Sequence, residues 1–468
     1  MKADEGNIVV GLDIGTTKVV AMVGEQAENN KIRILGYGHT VSFGVQRGTV
    51  INIVKASEAI REAVDIAEKN TNVDIRSVYV GIAGQHIQSY RQRGSSIRTN
   101  PDAVITKQEI RDLQKSMFNS QTNPGERIIH VIPQTFTLDR HQNLMENDII
   151  GMVGTNLEAN YHIVTAQEEA VNLIQRSVEK AGLELAGFVL EPMVSAMSVL
   201  NDDEKQAGVV LVDIGGGTTD VAVFQDSVIW HTGVIAFAGN AITDDIQDTC
   251  KVLPLQAERL KVQYGAVLPS AESNNLYVTT SSVTGRAPRE ISVKNLIEII
   301  KARMEEILTA VQWEIEESGC KNMLGGVVLT GGGSKMKFLP QLTDYVIGRE
   351  SRLGAPTRYL SEDSPAELSD PIFATAIGLV MFGLHREAEL AEEEALRQQE
   401  REVRMAEVEA ARQEEEAAAR AAAEKAAAEA QPEEKEEKPK RKLFDWTQTT
   451  KEMLVKWVKD VDEDDELN

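Results

Sequence analysis

Two glycine-rich segments decide the fold, GLDIGTTKVVAMV at residues 11–23 and LVDIGGGTTDVAVF at residues 211–224. Each places an aspartate at the end of an apolar run, continues with glycine and threonine, and then enters a second apolar run. The pattern predicts two tight β-hairpins whose glycines let backbone N–H groups close around a phosphate, with threonine hydroxyls as further donors. Neither segment has the Gly-Lys-Ser/Thr ending of a P-loop. A single glycine hairpin is commonplace, but two copies predict two similar half-domains that face one nucleotide.

The two hairpins supply the residues that we expect around the phosphates and the metal. Asp13 and Asp213 each end the first strand of a hairpin. We expect them to hold Mg²⁺ through its waters, because Mg²⁺ keeps much of its hydration in proteins. The predicted nucleotide contacts are Asp13, Gly15, Thr16, Thr17 and Lys18 in the first hairpin and Gly215, Gly216, Gly217, Thr218 and Thr219 in the second.

A third segment, GGVVLTGGGSKMKFLP at residues 325–340, reads as a strand, a triple glycine and a helix that begins near Ser334. Glycine there permits flat backbone to lie against a purine or a ribose, so we expect contacts from Gly331, Gly332, Gly333 and Ser334. AERLKVQYG at residues 257–265 adds Glu258 and Lys261, one helical turn apart and suited to ribose hydroxyls and to the base or phosphates. Without the other motifs, this pair would be better explained as a surface ion pair.

The rest of the sequence up to about residue 384 is of mixed α and β character. Short Val- and Ile-rich runs that end at glycine or polar turns are typical of buried strands. They occur at residues 8–15, 18–24, 77–84, 208–217, 220–225 and 325–333. Helical periodicity lies between them, at residues 54–70, 166–182 and 296–319, the last with Ser292 and Gly319 as expected caps. This alternation predicts an α/β fold with helices packed on sheets.

Length and composition limit what the chain can be. Its 468 residues are enough for two to four domains. The 49 basic against 73 acidic residues give a net charge of −24, which argues against a surface that binds nucleic acid broadly. The two cysteines, Cys250 and Cys320, provide no disulfide framework and no paired metal site, as expected in a reducing cytosol. The sequence predicts no signal peptide and no ordinary transmembrane helix.

The charge is uneven along the chain. Residues 385–468 hold 26 acidic and 15 basic side chains, so this tail carries −11 and the body carries −13. Residues 385–431 are mostly Ala, Glu, Arg and Gln, which are strong helix formers, without the apolar seam of a coiled coil. They predict a solvated, partly helical spacer, with a dedicated binding helix as the alternative. Residues 431–439 are expected to be disordered.

The end of the chain, KRKLFDWTQTTKEMLVKWVKD at residues 440–460, has a different character. As a helix it places large apolar side chains on one face with lysines around them, after three basic residues. This arrangement predicts an interfacial helix on anionic lipid; a terminal helix docked on the protein's own core is the alternative. The residues expected at the membrane are Lys440, Arg441, Lys442, Leu443, Phe444, Trp446, Met453, Leu454, Trp457 and Val458.

Together, the two phosphate hairpins and the adenosine segment resemble the signature of the actin and sugar-kinase ATPase superfamily. Two hinge segments also match, VLEPMVSAMSVL at residues 189–200 and ATAIGLVMFG at residues 374–383. Small residues would let the two hinge helices cross closely, namely Ser195, Ala196, Ala374, Ala376 and Gly378. The resemblance covers residues 8–383 in the superfamily's order and implies a two-lobed ATPase fold that binds ATP with Mg²⁺.

Within this superfamily the chain is similar to the FtsA family of actin-like proteins of bacterial cell division. YVGIAGQHIQSYRQRG at residues 79–94 resembles the entry into that family's inserted subdomain, and ERIIHVIPQTFTLD at 126–139 with GMVGTNLEANYHIVTA at 151–166 resembles its exit. Further similar stretches lie at residues 237–246, 285–292 and 299–307. The basic C-terminal helix matches the family's membrane-targeting segment, whereas the spacer is longer than the family leads us to expect.

The resemblance implies a division of the chain into actin-like subdomains and a tail. Its parts are subdomain 1A at residues 1–84 and 164–200, the inserted subdomain 1C at 85–163, subdomains 2A and 2B at 201–384, the spacer at 385–439, the membrane-targeting helix at 440–461 and an acidic tail at 462–468.

The resemblance also implies a function in cell division. The chain would form ATP-dependent filaments, bind the C-terminal peptide of the tubulin-like FtsZ, and tie the FtsZ ring to the cytoplasmic face of the membrane at the division site. Other division proteins would bind subdomain 1C, and nucleic acid is not an expected partner. Arg286, Arg289 and Arg303 are our candidates for an acidic or carboxylate-bearing peptide; solvated charges or internal ion pairs are the alternative.

Hydrolysis of ATP needs positioning, Mg²⁺ and a group that orients the water. Asp213 could serve the metal or the water. Glu191 occupies the place where the chaperone branch of the superfamily carries a Glu beside the nucleotide, and FtsA sequences are often less polar there. We therefore take both as candidate catalytic residues and expect slow turnover at most.

Two other functions of the same superfamily compete with this interpretation. A sugar or acetate-type kinase would need an Asp-rich substrate motif between the lobes, which the sequence does not offer, and it would have no use for a membrane helix. A pilus-assembly protein of the PilM type shares the inserted subdomain but is expected to lack the tethering tail.

Overall fold

The structure, a computed structural model, describes residues 8–280, 288–320 and 323–429. The predicted membrane segment at 440–461, the predicted disordered segment at 431–439 and Arg286 lie outside these residues. The chain divides into two compact units, with the boundary between Glu392 and Glu393.

The first unit is built from alternating strands and helices. The strands are Ile8–Ile14 (β1), Lys18–Gln26 (β2), Ile32–Val41 (β3), Val45–Gln46 (β4), Thr49–Val50 (β5), Ser77–Ile82 (β6), Ile87–Ile97 (β7), Glu126–Leu138 (β8), His141–Leu144 (β9), Asn156–Gln167 (β10), Glu184–Leu190 (β11), Val209–Ile214 (β12), Thr219–Gln225 (β13), Val228–Ile235 (β14), Tyr277–Thr280 (β15), Arg289–Ser292 (β16), Val327–Thr330 (β17) and Ser351–Leu353 (β18). The helices are Ile53–Thr71 (α1), Lys107–Met117 (α2), Glu146–Ile149 (α3), Glu168–Lys180 (α4), Glu191–Val199 (α5), Asp202–Ala207 (α6), Gly239–Cys250 (α7), Pro254–Tyr264 (α8), Val293–Glu317 (α9), Leu339–Ile347 (α10) and Ala374–Glu429 (α11), the last of which continues into the second unit.

Two sheets within the described residues repeat one topology. The first has the order β11-β6-β1-β2-β3 and the second β18-β17-β12-β13-β14. In each, an antiparallel hairpin, β1–β2 or β12–β13, has a parallel strand, β6 or β17, on its other side. The two predicted hairpins therefore exist, and each lies at the centre of its own lobe.

The strands of the hairpins are buried on both faces, which explains their nearly continuous apolar runs. All six residues of β12 are buried, as are six of the seven residues of β1. Helix α1 covers the first sheet with a face that includes Ile60 and Val64, and Asn52 caps it by accepting a hydrogen bond from the Lys55 amide at 3.0 Å. Helix α9 covers the second sheet and begins directly after Ser292, as predicted.

The two hinge helices, α5 and α11, cross closely at a small residue, as the sequence predicted. A Cβ atom on Gly378 would lie 1.9 Å from the carbonyl oxygen of Val194, so only glycine fits at this crossing. The Ser198 hydroxyl ties the helices further by donating to the carbonyl of Ala374 at 2.7 Å.

The inserted segment forms its own sheet, with the order β7-β10-β8-β9 and antiparallel pairing throughout. Helix α2 packs on this sheet over a separate apolar core that includes Phe136, Leu157 and Tyr161. The segment is therefore a folded subdomain in its own right and not an extended loop.

The prediction of a helix that begins near Ser334 is wrong. Gly332–Lys335 forms one 3-10 turn, and α10 begins only at Leu339, because Phe338 adopts a left-handed conformation and Pro340 suits a helical first turn. The spacer is helical as far as Glu429, and its side chains from residue 401 to residue 423 are exposed. A search of the described helices found none that combines the length and apolar character needed to cross a membrane.

Candidate functional site

A cleft with a volume of about 470 Å³ lies between the two lobes, where both hairpins end. It brings together sixteen of the residues predicted for the nucleotide and for hydrolysis. They are Asp13, Gly15, Thr16, Thr17, Lys18, Glu191, Asp213, Gly215, Gly216, Gly217, Thr218, Glu258, Lys261, Gly331, Gly332 and Gly333. Thr219 and Ser334 do not line the cleft: their hydroxyls donate to the carbonyls of Phe237 and Gly331, at 3.0 and 2.7 Å.

The turns of the two hairpins touch across the cleft. A Cβ atom on Gly216 would lie 2.4 Å from Cγ2 of Thr17, and one on Gly217 would lie 2.4 Å from Oγ1 of Thr16. Real Cβ contacts are not that short, so the glycines of the second turn leave room for the threonines of the first. The two lobes consequently approach each other at the place where a phosphate chain would be held.

Neighbouring segments hold each turn in place. The Gly48 amide, in the loop between β4 and β5, donates to the Thr16 hydroxyl at 3.2 Å. In the second lobe, the first amides of α7 donate to the turn: Gly239 to the carbonyl of Gly215 at 3.1 Å and Asn240 to that of Gly216 at 2.8 Å. Each turn is therefore held by hydrogen bonds from a neighbouring segment.

Asp213 is held by two hydroxyls from the hinge helices. Its Oδ2 accepts from Ser195 of α5 at 2.8 Å and from Thr375 of α11 at 3.2 Å. Burial raises the pKa of Asp213, and these two hydrogen bonds lower it in part. The sequence predicts only a packing role for Ser195, and the structure adds its hydrogen bond to Asp213.

Asp13 lies on the matching strand of the first lobe. Burial raises the pKa of Asp13 to about 6; Lys18 opposes this rise and the charge of Asp213 adds to it. A cation beside the two aspartates would offset this effect of Asp213 on Asp13.

Asp220 is a cleft residue that sequence reasoning missed. It lies opposite Asp213 in the ladder between β12 and β13, and one of its oxygens, Oδ1, is buried without a hydrogen-bond partner. Its Oδ2 accepts from Thr218 at 3.3 Å. Burial, with the charges of Asp213 and Asp13, raises the pKa of Asp220 well above its usual value. Superposing the two hairpin sequences, which places Asp220 on Val20, would have revealed it.

Glu191, the first residue of α5, completes the group of acids. Its side chain packs over Gly81 of β6, where a Cβ atom would be 3.0 Å from Glu191 Cγ. Burial raises the pKa of Glu191 well above its usual value, and the charges of Asp13, Asp220 and Asp213 raise it further.

Lys18 is the cation that faces these acids. Its ammonium donates to the carbonyl of Ile372 and lies 5.1 Å from the ring centroid of Phe373. Burial lowers the pKa of Lys18, while the surrounding carboxylates, Asp13 first among them, oppose that shift. Since several acids of the cleft lie around Lys18, this end of the cleft can accept additional positive charge together with an anionic ligand.

The acids fit a metal ion that is held through water. Hard carboxylate oxygens are the ligands that Mg²⁺ prefers, and the unpartnered Oδ1 of Asp220 lies among them. In the part of the chain that the structure describes, no group of three or more Asp, Glu, His or Cys side chains is close enough to bind a metal directly. Asp13 and Asp213 remain the residues that we predict to hold Mg²⁺ through its hydration shell.

The other end of the cleft lies between α8 and the triple glycine. Lys261 donates to the carbonyl of Gly239 and to the hydroxyl of Thr243, both at 2.8 Å, and pairs with Glu258 at 2.8 Å. Gly331 has a φ of +81°, and a Cβ atom there would lie 2.2 Å from Oδ1 of Asp213. Further residues that line the cleft, which the sequence did not single out, are Val262, Gly265, Lys335, Met336 and Lys337.

The arginines predicted for a partner peptide differ in their contacts within the described residues. Arg303 forms a two-pronged ion pair with Asp245, at 2.6 and 2.9 Å, and a further pair with Glu306. Arg289 is exposed and donates to the carbonyl of Cys250 at 3.2 Å. Arg303 therefore forms an internal ion pair, which the sequence offered as the alternative to a contact with a partner peptide.

Comparisons with known proteins agree on one family. The family model "Cell division protein FtsA" matches residues 210–378, and the model "SHS2 domain inserted in FTSA" matches residues 84–165. The "Cell division protein FtsA" of Pseudomonas aeruginosa is 36% identical over 385 residues, covering 82% of this chain and 91% of that protein. The chain belongs to the FtsA family. The FtsA proteins of Escherichia coli K12 and Neisseria meningitidis serogroup B are 32% and 36% identical, covering 83% and 84% of this chain and 94% of each protein.

Solved structures add a fold comparison. A chain of the PilM-PilN type IV pilus biogenesis complex matches with a TM-score of 0.59 at 16% identity, covering 80% of this chain and 98% of that chain. At this identity the likeness shows the fold alone. The predicted actin-like two-lobed fold with an FtsA-type inserted subdomain is confirmed, and so is the predicted family.

Proposed function

We propose that this FtsA-family protein binds ATP in the cleft between its lobes. The observation that carries the proposal is the contact between the two glycine hairpins, where Gly216 and Gly217 of one lobe meet Thr17 and Thr16 of the other. Backbone amides of both turns and the ammonium of Lys18 would bind the phosphates. The ribose and purine would lie against Glu258, Lys261 and the triple glycine.

Mg²⁺ would accompany the nucleotide, held through water by Asp13 and Asp213, and would supply the charge that neutralises the phosphates and the facing acids. Asp220 is a further candidate for this hydration shell, because its free oxygen is buried beside Asp213.

Turnover would be slow. Glu191 and Asp213 are the candidate catalytic residues for orienting the attacking water, but burial raises the pKa of each carboxyl. A protonated carboxyl cannot accept a proton from water, so only the ionised fraction would be active. The site is therefore better suited to binding ATP than to hydrolysing it rapidly.

The cellular role that we propose is to form filaments and to anchor the FtsZ ring to the cytoplasmic side of the membrane at the division site. Membership of the FtsA family supports the role in cell division. The sequence of residues 440–461, basic and amphipathic, supports the attachment to anionic lipid. Subdomain 1C would bind other division proteins, and the FtsZ C-terminal peptide would bind near Arg286 and Arg289.

Two measurements test this function. Isothermal titration should detect one ATP per chain in the presence of Mg²⁺. Flotation with vesicles that contain anionic lipid should carry the full chain but not a chain truncated before residue 440. Flotation that is indifferent to the truncation would contradict the tether and favour a PilM-like or kinase-like role, while leaving the nucleotide site untouched.

A further inference from the structure

The inserted subdomain contacts the ATPase lobes through side chains at alternate positions of one strand, β8. His130 contacts the first lobe through the Leu190 amide. Ile132 packs against the apolar cluster beneath the second sheet, which includes Val199 of α5. Gln134 donates to two carbonyls of β14, at 3.1 and 2.9 Å. A single strand of the inserted subdomain therefore spans both lobes and the hinge between them.

The contact of His130 is unusual because it replaces a strand partner. Strand β11 forms the edge of the first sheet, and its last residue, Leu190, donates its amide to Nε2 of His130 at 3.0 Å. The His130 ring also lies edge-on to Phe382 of α11, with centroids 6.4 Å apart. Burial lowers the pKa of His130 to about 4, so the imidazole is neutral at physiological pH and Nε2 can accept.

Leu190 is the residue on which helix α5 starts. It occupies the N-cap position, and no side-chain hydrogen bond caps this helix end. The amide of Leu190 is thus fixed from outside, by the inserted subdomain, and not by a local cap.

Helix α5 in turn carries three contacts of the nucleotide cleft and the hinge. Its first residue, Glu191, lines the cleft over Gly81. One turn later, Ser195 donates to Asp213 at 2.8 Å, and Ser198 donates to α11 at 2.7 Å. A displacement at the start of α5 would therefore move a candidate catalytic acid and a candidate metal-site partner together.

We propose that His130 is a positioning residue through which the inserted subdomain and the nucleotide cleft respond to each other. Loss of the acceptor would leave the Leu190 amide without a partner and free the first turn of α5. By linkage, ATP binding that restricts the motion of α5 would also restrict the motion of β8. A partner that shifts β8 would in turn change the binding and the turnover of ATP. The inference rests on the proposed nucleotide function and extends it to the inserted subdomain.

The test uses the full chain and four variants. His130→Phe keeps an aromatic ring beside Phe382 but removes the acceptor, whereas His130→Gln restores an acceptor of similar reach. Leu190→Pro removes the donor instead, and the φ of −64° at this residue suits proline. Gln134→Met is the matched control, because it breaks the contacts with β14 and leaves the His130 bond intact.

Two properties are measured for each chain, the ATP dissociation constant and the deuterium exchange of residues 126–138 with and without Mg²⁺ and ATP. In the unmodified chain, ATP should slow this exchange about threefold or more. The response should be lost in His130→Phe and in Leu190→Pro, with the ATP dissociation constant within about threefold of the original. It should return in His130→Gln and persist in Gln134→Met. Where turnover is measurable, kcat should fall about tenfold in His130→Phe with little change in KM.

Each contrary result would overturn either the proposed role of His130 or the proposed nucleotide function. An unchanged exchange response in folded His130→Phe or Leu190→Pro overturns the inference, and so does an equal loss in Gln134→Met, which would make docking alone responsible. Failure of His130→Gln to recover would show that the hydrogen bond is not what matters. Absence of ATP binding by the unmodified chain would instead overturn the proposed nucleotide function itself.

Discussion

In the first lobe the strand that carries Asp13 places it opposite Val20, whereas in the second lobe the same register places Asp213 opposite Asp220. The hairpins agree in strand pairing and in the length of the turn. They differ in whether one or both residues of this opposed pair are acidic. The first hairpin holds one acid against an apolar partner, and the second holds a pair of acids whose pKa burial raises.

The turns differ in a complementary way. The first turn has Thr16, Thr17 and Lys18 where the second has Gly216, Gly217 and Thr218. Bulk and positive charge come from one lobe, and space comes from the other, so that the two turns can approach without a clash. A repeated fold therefore need not give a repeated site, because each lobe contributes what the other lacks.

The largest effect should come from filling the space in the second turn. Gly216→Val would place side-chain atoms where Thr17 lies and force the lobes apart, so ATP affinity should fall about 100-fold or more. Isothermal titration measures the loss. Gly187→Ala is the matched control, because its Cβ would have an ordinary contact 3.6 Å from Tyr79. Equal affinity of the Gly216 variant and the control would show that the turns need not approach.

The next largest loss of ATP affinity should come from removing the positive charge of the first turn. Lys18→Met removes a charge-assisted contact with the phosphates and should weaken ATP binding about 50-fold. Thr218→Val, at the matching place in the second turn, removes one hydroxyl donor but no formal charge and should cost about fivefold. If both substitutions weaken binding equally, the division of labour between the turns is wrong.

The pH dependence of stability tests the buried acid of the first hairpin. Because the folded-state pKa of Asp13 is about 6, above its ordinary value, its contribution to stability is fully present below pH 4 and is lost as the pH rises through 6. Asp13→Asn removes this titration. Without nucleotide, the free energy of unfolding of Asp13→Asn relative to that of the original chain should therefore rise by about 2 kcal/mol between pH 4 and pH 8. Chemical denaturation at both pH values would show no such change if Asp13 were ionised throughout.

The smallest effect should come from the acid that distinguishes the second hairpin. Asp220→Asn keeps the shape but removes the charge, and we expect turnover to fall about tenfold with ATP affinity within about threefold. Asp226→Asn, exposed at the far end of β13, is the control for loss of a carboxylate from the same hairpin. Identical turnover in the two variants would leave Asp220 without a role in the reaction.

The sequence made the hairpins, the triple glycine and the hinge crossing at Gly378 predictable, because local glycine patterns and apolar runs dictate them. It could not show that Asp220 joins the site, since that follows from strand register and was hidden by the expectation that both hairpins are alike. The role of His130 depends on contacts between segments 60 residues apart in sequence. The helix expected at Ser334 was wrong because a left-handed Phe338 delays the first helical turn.

The central claim is that two unlike turns close around one phosphate chain. Its most direct test is to measure the stoichiometry and affinity of ATP binding, with Mg²⁺ present, for the original chain and for two variants that are each altered in one turn. Titration should give one ATP per chain, and both Lys18→Met and Gly216→Val should lower the affinity without changing that stoichiometry. Two nucleotides per chain, or affinity that survives the alteration of either turn, would contradict the account.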